Sequence, residues 1–224
     1  MGVVTKLEIQ KRRKNRVNVF LDEEYVFSLP LDEAARLSKG QTLTDAEVEA
    51  LMEQSAVGLA LDQGLRLLAM RPRSASEITQ HLTRSGVAVP VVGRAVDRLT
   101  ELGYLDDWAF ASFWVQERMR FKPTSPRALR YELKQKGVEN AVIDAALEVL
   151  DGDEAAYRAA ATQIKKLRGT SKRVFQEKLN AVLLRRGFSF SQARQTIRRW
   201  IDELEADTPD YFADDSAAPR TYDD

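Results

Sequence analysis

Glycines 86, 137 and 187 stand 51 and 50 residues apart, and the same apolar columns surround each of them. Four residues before lie Leu82, Leu133 and Leu183, and one residue after lie Val87, Val138 and Phe188. Ten residues after come Val96, Leu147 and Ile197, and thirteen after come Leu99, Leu150 and Trp200. Self-similarity at a fixed period of this size marks one supersecondary unit used several times. A glycine takes the left-handed conformation without a Cβ penalty, so one helix (B) is expected to stop there. The +10 and +13 positions share a face of a following helix C. A helix A precedes each B, at about 57–70, 106–121 and 153–168. Start signals agree: Ser74-x-x-Glu77 and Ser189-x-x-Gln192 are capping boxes, and Ser125-Pro126 puts proline at a first helical position. Three short helices bury little surface alone, so stacked copies are expected to cover one another. The third unit carries extra residues in helix B (SKRVFQEKLNAVLLRRGF).

The first thirty residues follow another period. Leu7 and Ile9, then Val17, Val19 and Leu21, then Tyr25, Phe27 and Leu29 alternate with polar neighbours, separated by the charged breaks KRRKNR and DEE. Period two between turn-like breaks predicts an antiparallel β-meander with one face needing cover. A small helix is expected near Leu31–Leu37, and TDAE at 44–47 is a capping box for the next. The expected fold is mainly α: an N-terminal β-meander with short helices (1–54), three-helix repeats at 55–105, 106–152 and 153–206 forming an elongated stack, and an acidic disordered tail at 207–224.

The net charge of zero conceals a segregation. Asp202–Asp224 holds nine acids and one base, whereas residues 1–201 hold 33 bases and 25 acids. Within 163–199 there are eleven bases and one acid, Glu177. A basic body suits phosphate, whose neutralisation releases counterions; the blander reading is a solvated surface with a solubilising tail. The tip Lys11–Arg16, five bases in six residues, either touches phosphate or keeps a sheet edge soluble. No apolar run approaches membrane-spanning length and the N-terminus lacks a secretion signal, so a cytoplasmic location is expected. With no cysteine there is no disulfide and no thiolate metal site.

Catalytic chemistry finds little to stand on. The one histidine, His81, has neither a zinc cluster nor a nucleophile to serve, and no phosphate-loop, dinucleotide or HExxH motif occurs. No enzyme activity, cofactor or metal is expected. The acid pair Asp106-Asp107 follows Gly103-Tyr104 and precedes Phe110, Phe113 and Trp114. That context reads as a junction: Tyr104 folding back on Leu99, Asp106 capping the next helix, Asp107 in its first turn, and the aromatics on the core face.

The remaining candidates are cations. Arg118, Arg120 and Lys122 close helix A of the second repeat, and Arg127, Arg130 and Lys134 share a face of its helix B. The third repeat offers Lys172, Arg173, Arg185, Arg186, Arg194 and Arg198. Helical bases with few exposed aromatics suit phosphate or an acidic protein better than base reading.

Taken together, RPRSASEITQHLTRSGV, LTELGYLDDWAFASFWVQERM, SPRALRYELKQKGV and LLRRGFSFSQARQTI resemble the RecX family, regulatory proteins of the RecA recombinase. The N-terminal TKLEIQKRRKNRVNVFLDEEYVFSL resembles an extension carried by a subset of that family. The resemblance implies tandem three-helix repeats, no enzyme activity, and binding to RecA and its filament on single-stranded DNA. It also implies limits on filament extension, ATP hydrolysis and strand exchange, hence on recombinational repair and the SOS response, with weak direct DNA binding in some members. The twelve cations named above are the residues expected to meet such a partner, and a monomer is expected. The long acidic tail departs from the family pattern and can compete with DNA for the basic repeats. A second reading is a sequence-specific helix-turn-helix regulator, with VPVVGRAVDRLTELG as recognition helix and Arg94, Asp97 and Arg98 as its long polar groups.

Overall fold

The computed structural model describes residues 1–11 and 14–213. It divides into two compact units, Met1–Asp107 and a second from Trp108 onward.

In the first unit, β1 (Gly2–Ile9), β2 (Arg16–Leu21), β3 (Glu24–Pro30) and the two-residue β4 (Thr42–Leu43) make an antiparallel sheet in the order β3-β2-β1-β4. The meander is therefore present, with a fourth strand too short to show periodicity. Val17, Val19, Leu21, Phe27 and Leu29 are buried on its covered face, whereas Tyr25 and Ile9 are exposed near strand ends. Asp22 and Glu23 both have positive φ in the β2–β3 turn, as tight hairpin turns require. The short α1 (Leu31–Ala34) follows β3.

The cover is α2 (Asp45–Met70), one helix of 26 residues entered through the expected capping box at Thr44 and Glu47. The boundary expected at 54/55 falls inside this helix. Its first half sends Val48 and Leu51 to the sheet, and its second half sends Val57, Leu61, Leu65 and Leu68 to the first repeat. With no Pro to break it, the helix runs on through Gly58 and Gly64, because continuing costs less than stopping and nucleating again.

Arg16 docks the sheet on α2. Although it belongs to the charged tip, it is only 1% exposed. Its guanidinium donates to the Ser28 carbonyl at 2.6 Å and reaches Ser55 Oγ at 3.5 Å and Asp62 Oδ2 at 3.8 Å. Of the charged tip Lys11–Arg16, Arg16 is thus internal, and Arg12 and Arg13 lie outside the described residues.

The first repeat is completed by α3 (Ala75–Arg84) and α4 (Val89–Glu101). The second unit holds α5 (Asp107–Phe121), α6 (Pro126–Gln135) and α7 (Asn140–Glu148), then α8 (Gly152–Ile164), α9 (Lys172–Arg185) and α10 (Phe190–Asp207). Each repeat glycine has positive φ: +85° at Gly86, +74° at Gly137 and +85° at Gly187. Val87, Val138 and Phe188 donate from their amides to the carbonyls of Leu82, Leu133 and Leu183 at 3.1–3.2 Å. Gly86, Gly137 and Gly187 donate to Thr83, Lys134 and Leu184 at 2.9–3.1 Å. These two bonds define the Schellman helix end, and the leucine and Val/Phe columns are its apolar clasp. Two of the four columns around the glycine are therefore a helix terminus recurring three times. The +13 column ends differently in the third repeat, where Trp200 stacks on Tyr157 of α8 at 4.4 Å.

Repeats two and three meet at Gly187. A Cβ built there would lie 2.7 Å from both Ala128 Cβ and Ser125 Oγ. Ser125, the N-cap of α6, donates from its amide to the Arg186 carbonyl and from its hydroxyl to the Gly187 carbonyl at 3.1 and 2.8 Å. At Gly86 a Cβ would meet nothing within 4 Å. Gly187→Ala is therefore expected to cost about 2 kcal/mol or more, combining the left-handed backbone with overpacking. Gly86→Ala carries only the backbone component, about 1 kcal/mol. Chemical denaturation of both variants measures the difference.

The tail expected from 207 is corrected at its start. Asp207 is the last residue of α10, and the following stretch packs back onto the third repeat. Tyr211 is 4% exposed in that repeat's core, edge-on to Phe175, and Phe212 packs on the same ring. The Gly169 amide donates to the Tyr211 carbonyl, the Ala213 amide to the Thr170 carbonyl, and the Tyr211 hydroxyl to the Ile164 carbonyl. Acidic composition hid the two aromatics that hold this segment. The rest of the expected tail, 214–224, lies outside the described residues.

Candidate functional site

The junction ELGYLDDWAF sits between α4 and α5. Gly103 has φ +74°, and the amides of Tyr104 and Leu105 donate to the Leu99 carbonyl at 2.9 and 3.2 Å. The side chain that closes this end is Leu105, which is 3% exposed, whereas Tyr104 is 57% exposed. Asp107 opens α5, and its Oδ1 also accepts from the Ala75 amide at 2.8 Å, so it serves the start of α3. Phe110 is buried, Trp114 partly so, and Phe113 is exposed. No group of three or more acidic or histidine side chains suited to a metal occurs among the described residues. His81 is exposed in the last turn of α3.

The second unit sorts the twelve candidate cations by what they already hold. On α5, Arg118 Nε donates to Glu132 Oε2 at 2.7 Å, and the same oxygen accepts from Trp114 Nε1 at 2.8 Å. The Arg118 guanidinium and Lys136 Nζ lie 4.7 and 5.0 Å from the Trp114 ring. This cluster ties α5 to α6. Arg120 is exposed over Phe121 at 4.9 Å. Arg130 bridges to Asp144 of α7, Lys172 pairs with Glu205, and Arg173 pairs with Glu177 at 3.4 Å. Surface pairs of this kind contribute little to stability and leave the cations able to exchange partners.

Arg186 belongs to the fold. Its guanidinium donates to the carbonyls of Pro123 and Ala159 at 3.5 and 3.2 Å and to Thr162 Oγ1 at 3.3 Å. Burial, and secondarily the neighbouring Arg185 charge, pulls its pKa below the ordinary arginine value. It ties the second repeat to the third.

Five cations are exposed, and among the described residues their side chains have no hydrogen-bond, ion-pair or ring partner: Lys122, Arg127, Lys134, Arg185 and Arg198. Arg194 is exposed, with its guanidinium 5.1 Å from the Phe190 ring. On α6, Arg127 and Lys134 flank Tyr131, 65% exposed, at positions i, i+4 and i+7 of one face. Sequence reasoning passed over Tyr131 because a helical tyrosine usually faces a core. Its place between two surface cations was the available signal.

The would-be recognition helix α4 buries one face and engages two of its long polar groups on the other. Val92, Ala95 and Leu99 are buried, Arg94 pairs with Glu53 of α2, and Arg98 pairs with Glu101 at 2.9 Å. No helix among the described residues is long and apolar enough to cross a membrane.

Three family descriptions match consecutive parts of the chain. They are the regulatory protein RecX N-terminal domain over 2–44, the RecX first three-helix domain over 60–99 and the RecX second three-helix domain over 106–147. A regulatory protein RecX of Lactobacillus delbrueckii subsp. bulgaricus is 35% identical over 213 residues, covering 92% of this chain and 78% of its own length. One from Bacillus pumilus is 30% identical over 210 residues, covering 92% and 80%. The crystal structure of a regulatory protein RecX superposes with a TM-score of 0.69 at 26% identity, over 89% of this chain and 100% of that one. The RecX structure from Lactobacillus salivarius shares the fold, with a TM-score of 0.57 at 22% identity over 66% and 97% of the two chains.

Proposed function

This chain belongs to the RecX family, and from that premise we propose that it is a non-enzymatic regulator of the RecA recombinase that acts from the cytoplasm. It binds the recombinase filament on single-stranded DNA and limits filament extension, ATP hydrolysis and strand exchange. The observation that carries this reading is the length of the match: the N-terminal domain and the first two repeats align in order with RecX proteins. The protein acts as a monomer in this reading.

The contact surface is assigned to Arg120, Lys122, Arg127, Lys134, Arg185, Arg194 and Arg198, with Arg118, Arg130, Lys172 and Arg173 contributing where a partner offers a better anion than their present one. Asp106 and Asp107 are structural, and Arg186 is left out because it is spent inside the fold. Several modest contacts spread over two repeats suit a polymer that presents the same anion at regular intervals. Replacing Arg127, Lys134 and Arg198 together by alanine is expected to leave the melting temperature unchanged. Each exposed charge contact contributes up to about 1 kcal/mol, so inhibiting the recombinase ATPase should need roughly 10–100 times more protein. Inhibition at the wild-type concentration would remove these residues from the interface.

The acidic segment 214–224 has four carboxylates against Arg220 and competes with DNA for the same cations. Truncation after Ala213 is expected to strengthen single-stranded DNA binding at low salt and to steepen its salt dependence, read by fluorescence anisotropy across a salt series. Unchanged binding would make the segment a solubiliser.

A further inference from the structure

The internal repeat supplies a control for each of its own surfaces. A groove lies between helices B and C in both the second and the third repeat, and Arg130, Asp144, Leu147 and Glu148 of one correspond to Asn180, Arg194, Ile197 and Arg198 of the other. The third repeat's groove, between α9 and α10, encloses a cavity of about 450 Å³. Phe190, Ile197 and Ile201 make its apolar floor, and Arg194 and Arg198 stand on its rim. These five recur at i, i+4, i+7, i+8 and i+11, a single stripe along α10.

Fifty residues back, Phe190, Arg194, Ile197 and Arg198 correspond to Asn140, Asp144, Leu147 and Glu148 of α7, whereas the place of Ile201 falls beyond that helix, at Asp151, the N-cap of α8. On the helix itself the phenylalanine becomes an asparagine, and both cations become acids. That groove is also bridged across its mouth by Arg130 and Asp144. In the third repeat Asn180 replaces Arg130, no such bridge can form, and the Phe190 ring stays 57% exposed. The fold alone therefore does not require this chemistry, because the sister repeat has the same groove without it.

We propose that the α9–α10 groove receives an acidic amphipathic segment of a partner protein, with apolar side chains on Phe190, Ile197 and Ile201 and carboxylates on Arg194 and Arg198. Its size suits a few side chains on one face of a short helix. A nucleic-acid strand fits less well. Phosphates gain nothing from the apolar surface of Ile197 and Ile201, which an amphipathic segment covers with its own side chains. The groove is one part of the surface assigned above, so the inference rests on that reading and names the chemistry of one partner element. Its test uses no recombinase, which keeps the failure of either distinguishable from the failure of the other.

The probe is a fluorescein-labelled 14-residue peptide with leucines at i, i+4, i+7 and i+11 and glutamates elsewhere, followed by fluorescence anisotropy on the full chain. The comparators are the same peptide with lysines for glutamates and a labelled 20-mer of thymidines. The glutamate peptide is expected to bind with a micromolar Kd and the lysine peptide not at all. Arg194→Asp with Arg198→Glu copies the second repeat and so preserves the fold, as a thermal melt verifies. It should weaken the glutamate peptide at least tenfold, and Phe190→Asn should weaken it several-fold. Absence of binding, or binding that neither variant changes, would overturn the proposal. So would loss of thymidine 20-mer binding in the Arg194→Asp, Arg198→Glu variant with the peptide unaffected, which would make the groove a nucleic-acid site.

Discussion

Tyr211→Ala is expected to destabilise the second unit by about 3–5 kcal/mol, the usual cost of deleting a large buried aromatic. Tyr211 is 4% exposed, its ring meets Phe175 and Phe212, and its hydroxyl and main chain close three hydrogen bonds to Ile164, Gly169 and Thr208. Phe175 itself sits in the extra turn that makes α9 14 residues long where α6 has 10. The added turn and the returning segment are thus two halves of one packing solution: the turn presents a ring, and Tyr211 with Phe212 covers it. Urea unfolding of three proteins tests this account. Truncation after Asp207 should match Tyr211→Ala, and truncation after Ala213 should match wild type. A Tyr211→Ala protein within about 1 kcal/mol of wild type would mean the segment is not part of the fold.

Arg16→Ala is expected to cost the first unit about 3 kcal/mol. The loss combines a cavity between sheet and helix with the removal of bonds from a charged donor to Ser28. Arg16→Met keeps most of the volume and removes the desolvated charge, and such replacements of buried ions are often neutral or stabilising. The expected order of denaturation midpoints is therefore wild type near Arg16→Met and both well above Arg16→Ala. Equal loss in the two variants would show that the hydrogen bonds, rather than the filled space, hold the sheet on α2. Asp62, at 3.8 Å and partly exposed, contributes less, so Asp62→Ala should shift the midpoint little.

What the sequence made legible was whatever depends on a short window. The glycine columns locate three helix ends because a Schellman motif is written in six consecutive residues. Capping at Thr44, Ser74, Ser125 and Ser189 is equally local. Arg16 was read as surface because its burial depends on Ser28, Ser55 and Asp62, brought to it by the sheet and a helix that begins 29 residues later. Tyr211 was read as tail because local composition outweighed two aromatics whose partner lies 36 residues back. Among the cations, spacing placed Arg127 and Lys134 on one face of α6, but could not separate Arg198, which is unengaged, from Arg186, which spans a seam. That distinction belongs to tertiary contacts. Family resemblance carried the functional reading, since no motif in the chain has a chemistry of its own.

A protein of this family that restrains a recombinase through direct contact with its filament must slow that filament's ATP turnover. The most direct measurement is single-stranded-DNA-dependent ATP hydrolysis by the cognate RecA, with this protein added at ratios from well below one to equimolar. ATP hydrolysis is expected to fall at substoichiometric or near-equal ratio, with strand exchange falling in parallel. Unaltered hydrolysis and strand exchange, together with tight binding to one duplex sequence, would contradict the account and return the chain to the class of sequence-specific regulators.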